Sequence, residues 1–547
     1  MKNVKLRSMK RRSVIAVLSG ALVMGFGANA MADTTDDIVN ALIAKGVLTE
    51  EEGALLMRGR TGEKEAAEEK KKTEIKAKFK DGISFESGDG KHSMALTGRL
   101  HFDYRDVEDQ NLSGLSGVGN AYSSDSDTAS IADNFEVRRA RIGVKGKFYE
   151  HFDYEVVTNL VGSSANLVDT AWINAGMFKP VQLRLGKFKQ PINLEDYGTS
   201  SNNIDFMERS YVTQILPGKK AGAMVHGIPT AGLTYAGSIY QQNDFGETDT
   251  ESDGKGYAGR GTVNFSELAG WKDSVLHVGV SGLSSEYGIT PTTSSQTSSA
   301  ASRTTRGTIF SFRTEGRGLN NIYRAQIAGD RTTTAGYGIT SATTAEVDNK
   351  AMGLELIGAY GPFKVQGEFL KSRYDAVHEN TDNRVEADVQ AFYAEALWLI
   401  TGEKYADFYK NGGWGSIKPN NSFDMESGKG WGAWEIGLRY DEFEVDNTSI
   451  EGSDNSRFQG ATTNQAAGNL NTNNTLGKDQ TKGGAKTYTA GIKWIVNPNV
   501  RFMLNYSHTK FDEAFRPIDV TANNGTNADV NTIDSEDIIA LRGQVAF

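Results

Sequence analysis

Seven histidines and a surplus of acidic residues are raw material for metal binding or acid–base catalysis, and their spacing speaks against both. No H-E-x-x-H pair occurs, so no two histidines share a helical face with a carboxylate between them, as a zinc hydrolase requires. His101 and His151 sit instead among charged residues on alternating segments. No G-x-S-x-G turn occurs, and Ser, His and Asp scattered through polar stretches supply no positioned nucleophile, base and orienting acid. The absence of Cys removes thiolate ligands, cysteine nucleophiles and disulfides together. The glycines of 254–261 read as strand and turn glycines, with no helix behind them to cradle a phosphate. Acidic runs at 247–253 and 441–446 read as solvated loop charge. The chain is expected to be no enzyme and to need no cofactor or metal.

What remains is charge arranged with a period of two. Within 94–105, Met94, Leu96, Leu100, Phe102 and Tyr104 alternate with Thr97, Arg99, His101, Asp103 and Arg105. Ala140, Ile142, Val144 and Phe148 oppose Arg139, Arg141, Lys145 and Lys147, and Phe152, Tyr154 and Val156 oppose Asp153 and Glu155. Trp434, Ile436, Leu438 and Tyr440 repeat the pattern against Glu435, Arg439 and Asp441. Strands with one apolar and one charged face have this spacing.

Connection lengths separate a membrane barrel from a soluble sandwich. Tyr149-Glu150, Lys179-Pro180, Gly361-Pro362 and Asn497-Pro498-Asn499 are minimal turns, whereas 106–134, 242–257, 285–305, 443–486 and 512–535 are long and polar. Short turns at one end and long loops at the other are expected of an outer-membrane barrel. Lipid offers no hydrogen-bond partners, so a sheet crosses it only when closed, and the charged faces must then line water. The expected fold is all-β, a transmembrane antiparallel β-barrel of about 16 strands. Reading 306–316 and 321–330 as wall strands would make 18. Ile539, Leu541, Val545 and the terminal Phe547 share one face of the last segment, as in the terminal signal of such barrels.

Residues 1–32 carry six basic residues, an apolar run and an Ala30-Met31-Ala32 ending, the layout of a cleaved secretory signal peptide. Its removal takes the formal net charge from −10 to −16, which excludes general affinity for nucleic acid. Residues 33–80 are expected to form a periplasmic helical appendage and charged linker. Thr49 to Glu52 reads as a capping box, two short helices meet near Gly46, and 63–80 form a solvated helix or spacer. Residues 81–547 are left for the barrel.

The run Val137-Arg-Arg-Ala-Arg-Ile-Gly143, followed by Phe152-Asp-Tyr-Glu155 and Pro180-Val-Gln-Leu-Arg-Leu-Gly-Lys-Phe188, resembles the phosphate-selective porin O/P family. Gly98-Arg-Leu100, Met207-Glu-Arg209, Leu399-Ile-Thr-Gly-Glu403, Ile417-Lys-Pro419 and Gly432-Ala-Trp-Glu435 add to the likeness, which spans roughly 93–547. The resemblance implies a homotrimeric outer-membrane porin of 16 strands whose pore is narrowed by inward loops and lined by arginines. It places Arg99, Arg138 and Arg139 in the lumen and Asp169 at the constriction. Arg303, Arg306 and Arg313, with Arg317 nearby, fall in its arginine-bearing loop. One position departs: Asp196 stands where the family has a phosphate-binding lysine, and no Lys lies between Gln190 and Gly218.

The expected function is passive diffusion of small solutes through a water-filled channel in the outer membrane of a Gram-negative bacterium, in contact with lipid and lipopolysaccharide. Arg99, Arg139, Arg141, Lys145, Arg303 and Arg306 would form a basic track for small anions, phosphate among them. Two rivals are a general or cation-preferring porin, because Asp196 and the overall acidity oppose that field, and a plugged structural or adhesive barrel.

Overall fold

A computed structural model describes residues 39–40, 42–55, 57–58, 69–70, 72, 74–79, 82–108, 133–161, 167–242, 254–289, 306–319, 321–328, 345–378, 383–451, 456–459, 482–515 and 533–547. The expected signal peptide, the acidic run 247–253 and Arg303 lie outside them. The chain divides into two compact units, Met1–Glu74 and Ile75–Phe547. In the first, the main-chain N–H of Glu52 donates to Thr49 Oγ1 at 3.2 Å and that of Thr49 donates to Glu52 Oε2 at 3.0 Å, the reciprocal pair of a capping box. Gly46, at φ +68°, ends the preceding helical turn.

Sixteen strands build the wall of the second unit. They are β1 (Ser93–Val107), β2 (Asn134–Phe148), β3 (Phe152–Asn159), β4 (Val168–Ala175), β5 (Gln182–Lys189), β6 (Lys219–Gly227), β7 (Leu233–Gln241) and β8 (Lys255–Asn264). The second half comprises β9 (Ser274–Ile289), β10 (Ala345–Tyr360), β11 (Phe363–His378), β12 (Arg384–Leu399), β13 (Ala433–Glu451), β14 (Gly483–Ile495), β15 (Val500–Phe515) and β16 (Ile533–Ala546). Each strand pairs antiparallel with the next, and β16 pairs with β1 from Ile538↔Val107 to Ala546↔Arg99. The sheet closes, as a membrane requires. Beyond the seam, Phe547 and Gly98 exchange two main-chain hydrogen bonds, of 2.9 and 3.1 Å. The Phe547 ring lies where a Cβ on Gly98 would be. A further hairpin, Ile75–Lys78 with Ser84–Ser87, extends β1 at this end, so part of the segment expected as a spacer is strand.

The apolar face predicted for each strand points outward: Leu100, Phe102, Ile142, Val156, Leu438, Tyr488 and Leu541 are all exposed. The opposite face carries His101, Asp103, Arg439, Thr489 and Arg542, all buried against the lumen contents.

The 16-strand reading holds, and the two extra strands exist in another place. Arg306–Phe312 and Tyr323–Ala328 pair as a hairpin and are joined by Arg457–Gln459 in a separate three-stranded sheet. Their rings face the inner surface of the wall, with Phe312 and Phe443 stacked at 3.9 Å and Phe310 against Tyr374 at 4.7 Å. Here the porin pattern inverts, because Phe443 and Val445 of β13 point in while Glu444 points out. The run 441–446 is therefore strand, not loop: β13 extends to Glu451, with Asp441 fully buried. A long loop that brings its own apolar strands converts the neighbouring wall into the other half of a dry core.

Candidate permeation constriction

Residues 190–218, between β5 and β6, are too apolar for a surface loop. Ile192, Leu194, Ile204, Phe206, Met207, Tyr211 and Val212 are all buried. The segment enters the lumen and is fastened to opposite walls. The main-chain N–H groups of Leu194 and Glu195 both donate to the Glu368 carboxylate of β11 at 2.7 Å, and that of Tyr211 donates to Asp441 Oδ2 of β13 at 2.8 Å. Asp205 accepts from Lys364 Nζ at 2.7 Å. On the other side, Arg99 Nη1 donates to Ser201 Oγ at 2.6 Å, and Asn202 Oδ1 bonds His101 at 3.3 Å.

Where this loop meets β1, β2, β4, β5 and β6, a cluster of cations gathers. Arg99 and Arg141 face each other across the β1–β2 ladder. Arg141 Nη2 lies 2.9 Å from Asp169 Oδ1, and Lys219 Nζ binds the other oxygen of the same carboxylate. Asp196 sits in a single π-turn, Asn193–Gly198, with Oδ1 3.6 Å from Lys189 Nζ and 3.8 Å from Arg209 Nη1. Burial works to raise its carboxyl, but Lys189, Arg209 and Lys219 overcome that and hold it below the ordinary aspartate range. Five cations thus share two carboxylates, both engaged. Lys189 and Lys219 are register partners at the roots of the loop, just outside the lysine-free window around Asp196.

Two β-bulges decide which charges reach the water. The β1–β2 register shifts between His101 and Phe102, leaving Arg138 as the extra residue, and the β3–β4 register shifts at Val157, leaving Asp169. Strict alternation would send one of each adjacent pair, Arg138–Arg139 and Asp169–Thr170, into lipid; the bulges let both members turn inward.

A second network lies around Glu208. Arg138 grips it with Nε at 2.8 Å and Nη2 at 3.1 Å, while Arg105 and Arg542 reach it at 3.2 and 3.1 Å. Burial raises this carboxyl, but Arg138, Arg317 and Arg542 hold it well below the glutamate range. The second inward segment joins through Gln214, which exchanges hydrogen bonds of 3.0 Å with the main chain of Arg313. Arg439 ties both loops to the wall, with Glu195 and Glu395 at 2.9 Å and Glu315 at 3.4 Å. From the short-turn end, 400–432 also enters the lumen, where Trp414 Nε1 donates to Gln366 at 2.6 Å and Arg260 donates to Gly412 O at 2.6 Å.

Of the residues singled out from the sequence, Arg99, Arg141, Asp169 and Asp196 come together at the constriction. Arg138 and Arg313 belong to the Glu208 network, Arg313 close enough to feel that carboxylate. Arg139 is 8% exposed and lies 3.4 Å from His101 Nδ1, packed in the wall. Lys145 faces water opposite Glu155, nearer the short-turn end. Arg306 contributes a strand position opposite Ala328. Sequence reasoning missed Lys189, Arg209 and Lys219 as site residues. Met207-Glu-Arg209 was visible as a motif, and its roles are now plain: Met207 O accepts from Arg542, Glu208 gathers arginines, and Arg209 braces the loop through Glu195 O and Thr199 O at 2.9 and 3.1 Å.

The profile of the family described as "Phosphate-selective porin O and P" matches residues 96–547. Porin O of Pseudomonas aeruginosa is 27% identical over 468 residues, covering 83% of this chain and 89% of that protein. Among solved structures, OmpT of Vibrio cholerae aligns with a TM-score of 0.44 at 9% identity, covering 84% of this chain and 98% of that one. The anion-selective porin of Comamonas acidovorans aligns with a TM-score of 0.40 at 10% identity, covering 83% and 100%. The chain belongs to the phosphate-selective porin O and P family, and is an outer-membrane channel for small solutes rather than an enzyme.

Proposed function

We propose that the channel prefers anions, with phosphate among its solutes. The observation that carries this reading is the constriction itself, where Arg99, Arg141, Lys189, Arg209 and Lys219 face Asp169 and Asp196. In a narrow, partly low-dielectric passage such an excess raises the local concentration of anions, and partly engaged cations bind weakly enough to release them. The phosphate in the matched family's description supports the solute class. Asp196, which favoured a cation-preferring channel on sequence grounds, is outnumbered where it lies. Arg138 and Arg313 extend the basic path on the long-loop side of the constriction, and Lys145 extends it on the short-turn side.

The working unit is a homotrimer, embedded among lipid and lipopolysaccharide and exported by a signal peptide cleaved after Ala32. Residues 33–74 form the periplasmic appendage and its linker, and the hairpin that begins at Ile75 belongs to the barrel unit. Reversal potential across a planar bilayer in a KCl gradient tests the reading: an anion-selective sign supports it, and cation preference refutes it.

A further inference from the structure

Most inward-facing arginines of the barrel are engaged by carboxylates, main-chain oxygens or neighbouring side chains. Arg184 is different. It stands on β5 opposite Asn174 of β4 and Met224 of β6, on the lumen face, while Leu183 and Leu185 beside it face lipid. It lies five residues nearer the short-turn end than Lys189, about 16 Å along the strand. Its guanidinium carbon sits 4.1 Å over the Trp172 ring. Its Nε is buried with no hydrogen-bond partner.

The acids within electrostatic reach, Glu155 and Asp153, are occupied. Glu155 accepts from Trp172 Nε1 at 3.1 Å, and Asp153 from Asn174 Nδ2 at 3.2 Å, with Lys147 Nζ at 3.3 Å. A polar belt fixes the surroundings, because Asn174 also donates to Gln182 at 2.9 Å and bonds His226 at 2.7 Å. A guanidinium held flat on an indole keeps its plane and presents its edge; half-buried, with its Nε unpaired and no carboxylate bonded to its fork, it gains from an anion that supplies those hydrogen bonds.

We infer that Arg184, stacked on Trp172, is a second anion station on the exit side of the constriction, built for oxyanions. Two oxygens in one plane match the guanidinium fork, a geometry that phosphate and carboxylate share and chloride lacks. The inference rests on the anion-preferring reading above and adds what that reading does not contain: a place and a ligand chemistry beyond net charge.

The test is block of single-channel KCl current by phosphate or acetate, added separately to the short-turn or the long-loop side of an oriented channel. Arg184→Lys keeps the charge and removes the fork. It is expected to weaken oxyanion block from the short-turn side by roughly tenfold, with reversal potential and KCl conductance within about twofold of the parent. Arg184→Gln, a second variant checked for a folded, heat-modifiable band, is expected to weaken the block as well. Weakening for either oxyanion supports the station and tells which source of oxygens it takes. An anion-selective parent whose block is unchanged in both variants overturns this inference alone. Cation preference in the parent overturns the reading beneath it.

Discussion

Replacing Arg141 by Gln removes one of five constriction cations while leaving an uncharged polar side chain in its place. A solute ion passing beside Asp169 and Arg99 is expected to come within about 7 Å of the lost charge. At an effective dielectric constant of about 20 that is worth about 2 kcal/mol, and screening at 0.1 M salt halves it. About 1 kcal/mol is roughly fivefold in anion occupancy, with the opposite effect on cations, so the permeability ratio should move toward cations by about tenfold or more. Stability should change little. Asp169 keeps Lys219 and, at 3.3 Å, the hydroxyl of Thr170, so the half-buried pair costs about 1–2 kcal/mol to break. Reversal potential in a KCl gradient and the temperature at which the folded band collapses, measured on one preparation, check both halves. Lys147→Gln is the control, because its partner Asp153 lies 3.3 Å away at the exposed turn end. An unchanged permeability ratio together with a large loss of heat resistance would refute the reasoning and make Arg141 a wall brace.

Other perturbations follow from the same contacts. Glu208→Gln should shift selectivity the other way, toward anions by about fivefold, since Arg138, Arg105 and Arg542 lose a shared counter-charge; a shift toward cations would contradict it. Glu315 is pushed up to about 7, first by burial and then by Glu195 and Glu208 against the pull of Arg439. The docked loop therefore holds a proton that the free loop releases above its ordinary 4.5, so docking is strongest below about 4.5, weakens up to about 7 and is level beyond. Current fluctuations should rise across that window, and Glu315→Gln should remove the dependence. Gly98→Val should lower the yield of folded barrel, because any side chain there overlaps the Phe547 ring, and deleting Phe547 should do the same; normal yield of both would show that the seam tolerates their loss.

The period of two was enough to determine strands, their lipid face and the need for closure, because lipid and water sort side chains residue by residue and leave that record in the chain. Tyr149-Glu150 and Gly361-Pro362 likewise announce their turns locally. Three decisions could not be read this way. Residues 306–312 alternate like wall strands, and only the presence of Phe443, Tyr374 and Val389 on the inner surface makes the lumen the better place to bury them. Arg138 and Asp169 are neighbours of inward residues, and whether a bulge turns them in depends on the register of the partner strand. The constriction draws on Arg99, Arg141, Lys189, Arg209 and Lys219, up to 120 positions apart, with the two lysines at the feet of a loop whose course is set by Glu368 and Asp441 on the far wall. Alternation is a local property of a chain in a bilayer, whereas the sum of charges at one point of a pore depends on which distant segments share that point, and only the tertiary structure decides it.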